Sequence, residues 1–114
     1  MRNQFTIGGH TYELVPFLEE GESSVKGHVM VERAHALNVE CWPGETFFNL
    51  DHQEDIPTDL RDKVYIVFVD WRSLVNESRI AFIKWSKERG RWVRSWSSVH
   101  FLWGKRARFL RRLT

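Results

Sequence analysis

The sequence predicts an α+β fold, an antiparallel sheet of about four to six strands packed against one or two helices from the first half of the chain. Three observations predict it. Two short alternating segments flank Gly8-Gly9, helical periodicity runs from about residue 24 to 37, and three β-branched, aromatic segments follow residue 63. At 114 residues the chain has the length of a single globular domain.

In order, Phe5 and Ile7 alternate with polar residues over Gln4–Ile7, and Tyr12 and Leu14 do the same over His10–Val15. The Gly-Gly pair between them supplies the positive φ angles of a two-residue hairpin turn. This hairpin either joins the sheet or caps the helix. Pro16 ends the second strand, and Ser23 or Ser24 can cap a helix through about Leu37, where Val25, Val29, Met30, Ala34 and Leu37 recur at helical spacing. Gly27 inside it costs about 1 kcal/mol relative to Ala, so its presence points to a close backbone approach. Cys41-Trp42-Pro43-Gly44 reads as a turn, Glu45 to Glu54 as a short helix or a strand, and Thr58 to Asp62 as a polar turn. Val64 to Val69 is apolar at every position, the pattern of a central strand covered on both faces. Arg79–Ser86 and Arg91–Ser97 complete a meander, with Lys87 to Gly90 as the loop between them. Residues 99–113 suit a helical stripe or, better, a strand completing the sheet, although Leu110 breaks the alternation set by Ala107 and Phe109.

Composition removes several classes. With 42% apolar and 28% charged residues and only seven Gly and three Pro, the chain is not a disordered, collagen-like or low-complexity sequence. Its longest apolar run, Val64 to Val69, is far short of the roughly 20 residues of a membrane span. The first residues lack the apolar stretch of a secretory signal, and the single cysteine, Cys41, has no internal partner, so a cytoplasmic setting is expected. Asn76-Glu77-Ser78 matches a glycosylation acceptor but reads as an inter-strand loop.

Two biases point to function. Six Trp residues stand among 14% aromatics, and charge is segregated: residues 1–86 carry eight Lys/Arg against fourteen Asp/Glu, while residues 87–114 carry nine against Glu88 alone. Period-two geometry puts Trp92, Arg94 and Trp96 on one face of a strand, with Arg91 opposite. Rings flanking a guanidinium suit base stacking with phosphate contact, or a protein hot spot. They equally suit a core in which the stem of Arg94 packs between the rings. The basic segment Lys105, Arg106, Arg108, Arg111 and Arg112, with Trp103 before it, wants an acidic counterpart. That counterpart is nucleic acid, an acidic protein, or the acidic stretch from Asp51 to Asp62 within the fold or on a second copy. If helical, Trp103, Arg106, Phe109, Leu110 and Arg112 would also suit an anionic membrane surface.

The chemistry-bearing motifs are weak. His28 and His35 are seven residues apart on the expected helix, about 10 Å along its axis, too far to share one ion, so no metal and no cofactor is implied. No nucleophile elbow, phosphate-cradling loop or His-Glu-x-x-His is present, and an enzyme would need Cys41, a His and a carboxylate gathered in one pocket. The expectation is a non-enzymatic binding module whose Trp/Arg-rich last quarter takes an acidic macromolecule, single-stranded nucleic acid first. The alternative is a protein-interaction or self-associating module.

Overall fold

A computed structural model describes residues 3–114. Its elements are β1 (Gln4–Ile7), β2 (His10–Val15), β3 (Ser24–Lys26), α1 (Gly27–Ala36), α2 (Glu45–Asn49), β4 (Tyr65–Arg72), β5 (Arg79–Ser86), β6 (Arg91–Ser98), β7 (Leu102–Gly104) and β8 (Ala107–Arg112). Six strands form one sheet in the order β1-β2-β8-β4-β5-β6, and β3 pairs with β7 in a separate two-stranded ribbon. The α+β class stands, with one refinement: β8 runs parallel to β4, which makes the sheet mixed. A parallel neighbour needs a crossover, and residues 99–106, including the β7 ribbon, supply it.

Both faces of the sheet are covered. On one, α2 and two single 3-10 turns (Gln53–Asp55 and Thr58–Leu60) bring Phe47, Ile56 and Leu60 onto Phe5, Tyr12, Ile66, Phe68, Ile83 and Trp92. On the other, α1 and the ribbon bring Met30, Ala34, Val25 and Trp103 onto Val67, Val69, Ile80 and Phe109. The unbroken apolar run in β4 follows from this: Ile66 and Phe68 enter the first core, Val67 and Val69 the second. Leu110 breaks the alternation in β8 for the same reason. It packs in the first core while Ala107 and Phe109 pack in the second.

The hairpin and the meander form as expected. Gly8 and Gly9 take φ of 59° and 81°, the left-handed pair that a tight turn needs, and β2 docks on β8, placing the hairpin in the sheet. The first helix is shorter than expected. Ser24 and Val25 belong to a strand, α1 starts at Gly27, and neither serine caps it. The reason is local: the Gly27 N–H donates to the Phe101 carbonyl at 3.1 Å, and a Cβ on Gly27 would lie 2.3 Å from the Val99 carbonyl oxygen. The second helix ends at Asn49 rather than near Glu54, because Leu50 turns left-handed at φ 56° to pack its side chain against the first core. Edge strand β6 is partly closed by a side chain: the Trp92 N–H donates to Gln53 Oε1 at 2.7 Å.

The loop before α1 is fastened by charge. Arg33 donates through both terminal nitrogens to the Glu22 carboxylate and, through Nη1, to the Phe17 carbonyl at 3.0 Å; the Glu19 N–H also donates to Glu22 at 2.7 Å. The Arg33 hydrogen bonds, with the Glu19 N–H second, hold the Glu22 carboxyl at about 2. Its pKa is lower folded than unfolded, so its contribution is complete above the unfolded value of roughly 4.3 and fades as pH falls through the folded one. Urea midpoints measured down this acid range should therefore fall in wild type, and Glu22→Gln should flatten that part of the profile. An unchanged profile in the variant would place the acid sensitivity elsewhere.

Candidate binding cleft at the bulged strand

The architecture of the site begins with an irregularity in β4. Phe68 pairs with Ala81 of β5, but the next pair is Arg72 with Ile80, so Val69, Asp70 and Trp71 bulge without counterparts. Such a bulge re-aims side chains. Trp71 turns to the side of Phe68 and joins the first core, where strict alternation would have sent it to the other face. Arg72 locks the distortion, donating from Nε to the Val69 carbonyl at 2.7 Å and from Nη1 to the Glu77 carbonyl at 2.8 Å. Beyond it, Asn76 Oδ1 accepts from the Ser78 N–H and hydroxyl, so the tripeptide resembling a glycosylation acceptor shapes the turn between β4 and β5.

Trp71 floors a cleft of about 470 Å³. Phe48 stacks on its indole at 5.1 Å with 27° between planes, while Trp42 and Trp96 each lie 6.1 Å away. The Arg94 guanidinium sits 5.3 Å from the Trp96 ring and 5.5 Å from the Trp71 ring. Leu74 and Val75 form the lip and are almost fully exposed, at 104% and 95%; Trp42 and Phe48 are about half exposed. Soluble domains rarely leave so many large apolar groups together in water without a use.

Of the residues singled out in the sequence, Arg94 and Trp96 meet in this cleft. Trp92 presents no surface, and Trp103 presents only an edge, to a second cleft of about 360 Å³ that Arg106 and Lys84 also line. Trp92 is wholly buried in the first core, and Trp103 is buried in the second with its Nε1–H donating to the Ser98 carbonyl at 3.2 Å. The expectation that Trp92 faces a ligand is corrected: alternation placed it on the face that α2 and the turns then cover. Arg91 is exposed at the far end of β6, beside the β5–β6 loop.

The basic segment disperses as well, because β8 is a central strand. Arg111 pairs with Glu13 at 2.9 Å and donates to the Asn38 carbonyl at 2.8 Å. Arg106 lies 3.6 Å from Asp62, which also takes Lys87 at 2.9 Å; the Lys87 hydrogen bond first, then the charges of Lys87 and Arg106, hold the Asp62 carboxyl below its usual range. Arg108 donates to the Lys105 and Ala107 carbonyls, and burial lowers its pKa. Lys105 is exposed on the turn before β8, and Arg112 is exposed opposite Tyr12. Asp62, from the expected acidic stretch Asp51 to Asp62, pairs with Arg106, while Glu13, the partner of Arg111, lies outside that stretch. Segment 105–112 is a strand and its turn, so the helical membrane-surface reading has no helix to rest on. Among the described residues no helix is long and apolar enough to cross a membrane.

Below the other side of the bulge, Asp70 Oδ1 lies 2.8 Å from His35 Nε2, and the Cys41 sulfur completes a group whose ligand atoms all lie within 4.8 Å of one another. Burial, then the charges of Asp70 and Glu40, push the Cys41 thiol upward, the reverse of how a nucleophilic cysteine is activated.

Sequence reasoning singled out neither Trp42, Phe48, Trp71 nor Leu74 and Val75 for binding. A readable signal existed for two of them: an apolar pair, Leu74-Val75, inside an otherwise polar turn from Ser73 to Ser78. Compared with protein-family models, with curated proteins and with solved structures, the chain matches none.

Proposed function

We propose that the protein is a non-enzymatic interaction module whose cleft docks a segment of a partner protein carrying a bulky apolar side chain beside a carboxylate. The observation that carries this reading is the pairing of exposed Leu74, Val75, Trp42 and Phe48 with the Arg94 guanidinium, which among the described residues has no carboxylate partner. Trp and Arg in a partly desolvated centre, ringed by apolar contacts, are the composition of an interface hot spot. Nucleic acid, the first expectation from sequence, needs several free cations along a track. Here Arg106 and Arg111 have carboxylate partners, Arg108 is turned to backbone carbonyls and Arg72 is committed to the bulge, while the exposed Arg91, Lys105 and Arg112 do not line the cleft, which favours the protein reading.

The test is fluorescence anisotropy with labelled peptides that place Trp, Phe or Leu next to Asp or Glu, against the same peptides with Lys for the acid. Acidic apolar peptides should bind and their Lys counterparts should not. Leu74→Ser and Trp42→Ala should each weaken binding roughly tenfold, and Arg94→Gln about fivefold or more, as expected for hot-spot losses near 1–2 kcal/mol, with each variant still folded and its stability loss under about 1 kcal/mol. Peptide binding insensitive to all three variants would overturn the reading. Tight binding of a mixed single-stranded oligonucleotide that weakens steeply with salt and depends on Arg94 and Trp96 would replace it with nucleic acid. A concentration-dependent dimer abolished by Leu74→Ser would assign the cleft to a second copy.

A further inference from the structure

We infer that His35, Cys41 and Asp70 form a binding site for a borderline-soft divalent cation of the zinc type, with three protein ligands and an open position toward solvent. The three donors come from separate parts of the chain: α1, the loop after it, and the β4 bulge. An imidazole, a thiolate and a carboxylate together match the ligand preferences of Zn²⁺ and not those of the oxygen-seeking Mg²⁺ or Ca²⁺. A tetrahedral ion with bonds near 2.0–2.3 Å holds its ligand atoms about 3.3–3.7 Å apart. The group already lies within 4.8 Å, and the His35–Asp70 pair at 2.8 Å needs only to open slightly to admit the ion.

The site is held in advance by main-chain bonds. The Asp70 N–H donates to the Cys41 carbonyl at 2.8 Å, which ties two of the ligand residues directly together. The loop carrying Cys41 is fixed to β8 by the Glu40 N–H on the Leu110 carbonyl at 2.7 Å and by Arg111 on the Asn38 carbonyl at 2.8 Å. His35 and Asp70 side chains are about half exposed, at 50% and 47%, which gives an ion an entry path and leaves room for a water or an outside ligand. The spacing argument from sequence compared His28 with His35 and overlooked Asp70, because only the bulge brings that carboxylate to the helix.

The experiment is titration of the reduced, tag-free full chain with Co²⁺, read by absorption, followed by displacement with Zn²⁺. One equivalent should produce a thiolate-to-cobalt charge-transfer band in the near ultraviolet, bleached by Zn²⁺. Cys41→Ser should abolish the band, His35→Gln should weaken binding at least tenfold, and Asp70→Asn should weaken it by about tenfold or more. The distant His52→Gln should leave it intact. Circular dichroism on each variant separates a lost ligand from a lost fold. Absence of the band in the folded wild-type chain, or its survival in Cys41→Ser, would overturn the proposal. Zinc binding measured by calorimetry that persists undiminished in the Cys41→Ser, His35→Gln double variant would do the same.

Discussion

Gly27→Ala is expected to destabilise the domain by about 3 kcal/mol or more, since Gly27 is the glycine whose added methyl would meet the closest atoms. Helix propensity argues the other way, since Ala in a helix is favoured over Gly by about 1 kcal/mol. The close approach decides the sign. The added methyl would meet the Val99 carbonyl oxygen at 2.3 Å, its carbonyl carbon at 2.7 Å and its Cα at 2.6 Å, all backbone atoms that no rotamer change can move aside. Overpacking against adaptable side chains typically costs about 1–3 kcal/mol, and a rigid neighbour puts the cost at or above the top of that range. The backbone at Val99 is itself anchored, its N–H donating to the Ser78 carbonyl at 2.6 Å, and it leads directly into the ribbon that covers the second core. Urea unfolding of Gly27→Ala beside Gly44→Ala, where a Cβ meets nothing within 4 Å, is the measurement. A loss near 3 kcal/mol in the first and under about 1 kcal/mol in the second is expected. Equal stabilities would show that the crossover yields at Val99.

The same contact explains what the sequence could and could not say about the fold. The meander was legible because β4, β5 and β6 each carry their own β-branched and aromatic pattern, and the first hairpin because Gly8-Gly9 states its turn chemistry locally. Where α1 starts is set by a partner some seventy residues away, so helical periodicity through Val25 pointed to a longer helix than forms. The end of α2 was hidden for a related reason: Leu50 adopts a left-handed conformation in exchange for core contact, a tertiary override of local preference.

The site was less legible than the fold. Alternation identified a Trp/Arg face on β6 correctly as geometry, but exposure along that face depends on where the covering layer stops. It covers Trp92, half-covers Trp96 and leaves Arg94 open. Charge counting found a basic carboxyl end without showing that a central strand would hand Arg111 to Glu13. The β4 bulge, which aims Trp71 at the cleft and Asp70 at His35, leaves no mark in the run from Tyr65 to Trp71 beyond Asp70 among apolar residues.

Trp71→Ala is expected to cost about 3–5 kcal/mol of stability and to abolish binding at the cleft, whereas Trp42→Ala should cost under about 1 kcal/mol of stability while still weakening binding. The contrast follows from burial. Trp71 is 4% exposed and Trp42 is 54% exposed, although both rings line the same cavity. Removing the Trp71 indole empties the space between Phe68 beneath and Phe48 above, and takes from Arg94 one of its two aromatic supports. Because a loss of that size is a large fraction of an ordinary domain's 5–15 kcal/mol, binding must be compared in the folded population only. Trp71→Phe provides the needed intermediate, keeping a ring on the floor while shrinking it. It should retain most of the stability and lose part of the affinity. If Trp71→Ala proved as stable as wild type, the bulge would be decorative and the cleft a surface feature independent of the core. If it lost stability but bound acidic apolar peptides normally at a temperature where it stays folded, the floor would be irrelevant and recognition would reside in the rim of Trp42, Leu74 and Val75 alone.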